Sequence, residues 1–275
     1  MFATQIAPSL AFIVICTLVP ESPRWLHRQG DLERARRTLY RVMPDEEAAE
    51  TLVAMARSTT EEAGSPAGYL QLLTPQNLRS LELALALASF SELSGITAVF
   101  YYGPTILGDA GFALGGALNG FAVIGLVNMV ATVIALWLVD RVGRRPLLLW
   151  GTIGAIVSLI SAAVLLSTRS GRPWPLVLSI CSFVACFACS LGPIKFVVAS
   201  EVFSNALRAR AMAVFIFWAF ASGALINFVF PIVREHFGAQ ASLFGFAAIL
   251  LGQVAYVRWR MPETKGKRLE ELCVS

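Results

Sequence analysis

Seven polar side chains stand inside otherwise apolar stretches. Ser91, Glu92, Ser94 and Thr97 share one stretch, while Asn128, Lys195 and Asn227 each occupy another. Polar groups in such surroundings are expensive and face a cavity or a partner. A lone carboxylate there is protonated or paired. Three chemistries are open to Glu92: uptake of a proton or cation, an ion pair with Lys195, or a hydrogen bond to a ligand. Beside Lys195, Gly192-Pro193 interrupts the helical hydrogen-bond ladder, because proline lacks the N–H and clashes with the preceding turn. Such breaks are tolerated where they line protein or water.

A second concentration of chemistry is DRVGRR, residues 140–145. Four of its six residues are charged: Asp140, Arg141, Arg144 and Arg145. Residues 115–139 before it and 147–168 after it carry no charge. Gly143 suits a tight turn. Opposite charges gathered at helix ends form ion pairs, worth ~0–1 kcal/mol each when exposed and more with bidentate Arg–carboxylate geometry.

The elements that must hold these groups follow from composition. Hydrophobic residues make up 56% of the 275 residues and charged residues only 15%, against about 25% charged in soluble domains. Residues 1–20, 115–139, 147–168, 173–194, 211–233 and 236–257 are uncharged, and 83–108 contain only Glu92. A bilayer core of ~30 Å needs ~20 apolar residues in a helix. Seven membrane-spanning helices are therefore expected, near 1–19, 81–103, 116–139, 147–167, 174–199, 211–233 and 240–259. This is an all-α membrane protein, with the lipid bilayer as its surroundings. Lys and Arg number 18 in segments 20–80, 140–146, 200–210 and the tail from 258, against 3 in the segments on the other side. Cytoplasmic loops carry the positive excess, so DRVGRR and the C-terminus are expected to be cytoplasmic. The first apolar run has no basic residue before it, which speaks against a cleaved leader.

Segment 20–80 is too long for a turn. Leu32, Ala35, Leu39 and Val42 share one helical face of residues 31–43, Asp31 is an N-cap residue, and a second short helix follows over 45–57. Residues 20–80 are expected as a cytoplasmic linker with short helices, 81–260 as a six-helix membrane unit and 261–275 as a cytoplasmic tail. Five cysteines show no metal-ligand spacing, and no phosphate loop, nucleophile constellation or nucleic-acid patch is present. No cofactor, no metal and no enzymatic activity are expected. The first span exits through PESPRW (20–25) and the seventh through PETKG (262–266), which suggests a parallel repeat of six spans.

PESPRWL (20–26), LSGITAVFYY (93–102), DRVGRRPL (140–147), GPIKFVVASEVFSNALRARAMAV (192–214) and PETKG (262–266) occur in one order along the whole chain. In these stretches the chain resembles the sugar porter family of the major facilitator superfamily. The resemblance implies the major facilitator fold, here the last helix of the N-terminal repeat (1–19, the family's sixth) and the complete six-helix C-terminal repeat, without helices one to five. It implies transport of a sugar or related polyol by alternating access, as a uniporter or with protons as partners. The alternative is a non-transporting relic or a regulatory partner of full-length transporters.

The same resemblance implies site residues. Positions that hold substrate in the family fall on Ser91, Glu92, Thr97, Asn128 and Phe196, and Tyr101 and Tyr102 fall on the outer gate. A cytoplasmic charge gate falls on Glu21, Arg24, Asp140, Arg141, Arg144, Arg145, Glu201, Arg208 and Glu263. The departures matter. The family's two helix-seven glutamines are Ser91 and Glu92, an asparagine is Thr97, a tryptophan is Phe196, and the helix-eleven asparagine falls at Gly223; Asn128 is kept. Proton-coupled members carry their key acid in helix one.

Overall fold

The computed structural model describes residues 3–64, 69–109, 111, 114–168, 173–203 and 205–261. These residues are helical nearly throughout. In chain order the helices are α1 (Ala3–Leu18), α2 (Pro23–Arg28), α3 (Leu32–Val42), α4 (Asp45–Gly64), a 3-10 turn (Tyr69–Leu73), α5 (Pro75–Leu93), α6 (Ile96–Asp109), α7 (Leu114–Val142), α8 (Arg144–Ser167), α9 (Pro173–Cys189), α10 (Leu191–Glu201), α11 (Asn205–Phe237) and α12 (Ala239–Arg260). Packing divides the chain into two compact units, 1–67 and 68–275.

In the first unit, α1 is apolar with exposed side chains and has Pro8 inside it. Its 16 residues rise about 24 Å and fall within the first span expected near 1–19. The α3 helix is amphipathic. Asp31 caps it by accepting from Arg34 N at 3.1 Å, and Leu39 is buried with Ala48 and Met55 of α4. Arg and Glu hold its other face, where the Arg37–Glu33 pair at 3.9 Å is too exposed to add much.

Among the described residues, the second unit contains six helical stretches long and apolar enough to cross a membrane: Asn77–Gly108, Gly115–Val139, Arg144–Ser167, Trp174–Glu201, Leu207–Phe237 and Ala239–Arg260. Two of them are interrupted. The first comprises α5 and α6, joined through Ser94 and Gly95; the fourth comprises α9 and α10, joined through Ser190. Helix α5 begins at Pro75, ahead of the span expected from 81, because Thr74 precedes it as the cap residue and proline at the first helical position costs no hydrogen bond.

Among the described residues, α8 packs on α12 and α9, α9 also packs on α7, and α5 packs on α11, α10 and α12. Small residues allow the tightest approach. A Cβ on Gly151 would collide with Ser190, and one on Gly154 would lie 2.6 Å from Cys186 Sγ. Close backbone approach of this kind is how helices gain van der Waals contact where lipid offers no hydrophobic contrast. Here it seats the α9–α10 joint against α8. The α7 and α11 helices present exposed Val133, Leu136, Trp137, Phe217, Phe220 and Phe228.

Candidate functional site

Two helix joints define the site. At the first, Gly95 takes φ +85°, in the left-handed region that favours glycine. Ser94 Oγ donates to Ser91 O at 2.6 Å and replaces part of the interrupted ladder. Any side chain at 95 would collide with Phe246 of α12. The sequence offered one signal for this joint, a glycine after serine in mid-span, which the reading of 81–103 as one helix passed over. At the second joint, Ser190 sits at φ −131°, ψ −81° and donates through Oγ to Cys186 O at 2.6 Å. Pro193 follows three residues later. Its missing N–H falls within the first turn of α10, where no intrahelical partner exists. The break therefore lies just before Gly192-Pro193.

Between the joints, Lys195 Nζ of α10 donates to Glu92 Oε1 of α5 at 2.5 Å, with side chains only 8% and 13% exposed. The ammonium also lies 5.2 Å from the centroid of the Phe196 ring. On the α11 side, Gly223 leaves room for the carboxylate: a Cβ there would come within 3.2 Å of Glu92 Oε2 and 3.9 Å of Thr97 Cγ2. The absent helix-eleven side chain and the acidic residue at 92 are thus sterically matched.

Three buried polar atoms on α5, α6 and α11 have no hydrogen-bond partner among the described residues: Ser91 Oγ, Thr97 Oγ1 and Asn227 Oδ1. Buried polar atoms are rarely left unpaired. Phe196 is partly exposed and packs edge-on against Phe215 at 5.4 Å. Asn128 is half-buried on α7. Among the described residues its side chain makes no hydrogen bond to Ser91, Glu92, Thr97 or Lys195. A contact with no forewarning in the sequence lies one turn from Glu92, where Trp218 Nε1 donates to Ser89 Oγ at 2.7 Å.

The two tyrosines separate. Tyr102 OH donates to Asn227 O at 3.3 Å, and its ring lies 5.0 Å from that of Phe230. Tyr101 is 73% exposed. Adjacent positions on a helix point about 100° apart, so only one of the pair faces α11.

At the other end of the spans, Gly143 takes φ +97° and starts α8 directly after α7. Arg144 Nη2 then donates to Glu201 Oε1 at 2.8 Å, while Glu201 Oε2 has no partner among the described residues. The contact is single-point, where two-point geometry was expected. Arg144 stands at the N-terminus of α8 and Glu201 at the C-terminus of α10, so each meets the unfavourable end of its own helix dipole. Their pairing offsets both. Arg145 Nη2 donates to Arg258 O at 2.6 Å, which satisfies a carbonyl in the last turn of α12. Arg208 reaches Phe203 O at 3.5 Å, and the Arg141 guanidinium lies 5.2 Å from the Trp137 ring centroid. Asp140 lies in the last turn of α7, but its side chain, like that of Arg24, lies outside the described residues, as does Glu263. Glu21 is exposed in the first unit.

A family model described as "Sugar (and other) transporter" matches residues 1–274. The chain is 35% identical to the arabinose-proton symporter of Bacillus subtilis, over 99% of this chain and 58% of that protein. It is 32% identical to the major myo-inositol transporter of the same organism, over 96% of this chain and 57% of the relative. Among solved structures, the proton:xylose symporter XylE bound to 6-bromo-6-deoxy-D-glucose superposes with a TM-score of 0.81 at 29% identity, covering 98% of this chain and 57% of that one. The chain spans little more than half the length of these proteins.

Proposed function

Because the chain belongs to the sugar (and other) transporter family, a family of integral, multi-pass membrane proteins, we propose that it supplies the C-terminal repeat of an alternating-access carrier for a sugar or related polyol. The carrier works as a uniporter or with a proton. The observation that carries this reading is the meeting of two interrupted spans at polar residues: Ser91, Glu92 and Thr97 at one joint and Lys195 after the other, with the exposed Phe196 ring beside Lys195. Interrupted helices with unmatched polar atoms are tolerated at membrane depth where they line a cavity. A hydroxyl-rich solute satisfies such atoms.

The joints also suit motion. Gly95 separates α5, which carries Glu92, from α6, which carries the outer-gate residues Tyr101 and Tyr102. A glycine joint absorbs backbone rotation at low cost. Swinging α6 then opens or closes the outer side while α5 keeps its contacts with α10 and α11. At the opposite ends of the spans, the Arg144–Glu201 and Arg145–Arg258 contacts tie α8 to α10 and α12. These contacts belong to the inner charge gate, to which the family motifs also assign Arg208, Arg141, Asp140, Glu21, Arg24 and Glu263. The positive excess places that side, and the C-terminus, in the cytoplasm. Asn128 on α7 completes the substrate-facing set.

The test is uptake of labelled arabinose, xylose and myo-inositol into proteoliposomes. The 275-residue chain is compared with the same chain joined to the first repeat of the arabinose-proton symporter. Saturable, stereoselective uptake is expected from the joined carrier only. A joined carrier that inserts normally yet neither binds nor moves any of the three solutes overturns the proposal.

A further inference from the structure

We propose that Lys195 is a specificity-determining residue, and that with Glu92 it forms a charge-balanced clamp for a neutral diol. This rests on the transport reading above and deepens it. The carboxylate uses Oε1 on Lys195, while Oε2 faces the space that Gly223 leaves open beside Thr97. The ammonium has three N–H donors, and Glu92 Oε1 takes one of them. Phe196 flanks its charge at 5.2 Å. One hydroxyl of a vicinal diol donates to Glu92 Oε2, and the neighbouring oxygen accepts from Lys195. Both bonds are charge-assisted, and such bonds are roughly twice as strong as neutral ones.

The same pair excludes ions. A carboxylate-bearing sugar brings a second anion to an ammonium that Glu92 already neutralises. An amino sugar brings a second cation to a carboxylate that Lys195 already neutralises. Inside the protein, where charges are screened less than in water, like charges repel strongly. The clamp therefore selects solutes with no net charge, although both of its members are charged.

The assignment predicts a reversal of preference. Binding of D-xylose, myo-inositol, D-glucuronate and D-glucosamine is measured on the joined carrier in lipid nanodiscs. The wild type binds the neutral solutes and rejects both ions. Glu92→Gln leaves the ammonium unbalanced, and the affinity ratio of glucuronate to xylose rises about 10- to 100-fold. Lys195→Met makes the mirror change in favour of glucosamine. The double variant returns to neutral solutes. If the single variants keep the wild-type order, Lys195 and Glu92 do not set charge preference and the proposal fails while the transport reading stands. If only the double variant inserts and its order matches the wild type, the pair is structural and the proposal likewise fails. A wild type that binds no neutral solute overturns the transport reading and this proposal together.

Discussion

Arg144→Ala is the most informative single change at the α7–α8 end of the spans. The guanidinium contact with Glu201 is 2.8 Å long, with side chains 15% and 28% exposed. An exposed pair is worth ~0–1 kcal/mol and a hydrogen bond to a charged group ~1.5–3 kcal/mol. A half-buried, single-point contact falls between, at about 1–2 kcal/mol. The helix dipoles raise the cost of losing one partner. Without Arg144, Glu201 is left at the negative end of α10; without Glu201, Arg144 is left at the positive end of α8. Removing both should therefore cost less than the sum of the single losses. The coupling in a double-mutant cycle of Arg144→Ala and Glu201→Ala should come to about 1–2 kcal/mol. Both residues belong to one unit, so the effect should appear within this chain and not only where two repeats meet. Hydrogen exchange reads it directly. Amides in the last turn of α10 should exchange about 5- to 30-fold faster in Arg144→Ala. Arg144→Lys should keep the greater part of the protection, since one N–H donor suffices for a single-point contact. In the joined carrier, inner-side accessibility of a cysteine near Asn128 should rise with the exchange rate. Unchanged exchange, with additive single effects, would show that the charges of DRVGRR only orient the helices.

Three further outcomes follow from the same geometry. Gly95→Ala places a side chain at φ +85° and against Phe246, so thermal stability in detergent should fall sharply, and Phe246→Ala should restore only part of it because the backbone strain remains. Gly143→Ala meets φ +97° and should cost about 1–2 kcal/mol from the backbone alone, read as a lower melting temperature with insertion retained. A cysteine at 143 should resist a membrane-impermeant reagent added from outside, while one at 168 should react; the reverse pattern would overturn the orientation drawn from the Lys and Arg count.

Run lengths and turn chemistry were legible because they are local. Uncharged stretches of 20 or more residues called for membrane helices, whatever their partners; among the described residues five of those six stretches lie in helices long and apolar enough to span, as does the stretch around Glu92, while 1–20 holds the shorter apolar α1. Gly143 in DRVGRR and Asp31 before Leu32 marked a turn and a cap that depend on residues within a few positions. The chain's own motifs were enough to identify its family. Partner choice was not legible. Glu92 left three chemistries open, and its contact with Lys195 lies 103 positions away; Arg144 and Glu201 are 57 apart. Such contacts depend on how far each helix is rotated and how closely its neighbours pack, which small residues such as Gly151 and Gly154 decide against facing side chains. The break at Gly95 escaped notice because glycine inside a helix is merely tolerated, and only Phe246 closing over it requires the bare backbone. Tyr101 and Tyr102 were equivalent as letters; the rotation of α6 against α11 turned one inward and left the other exposed.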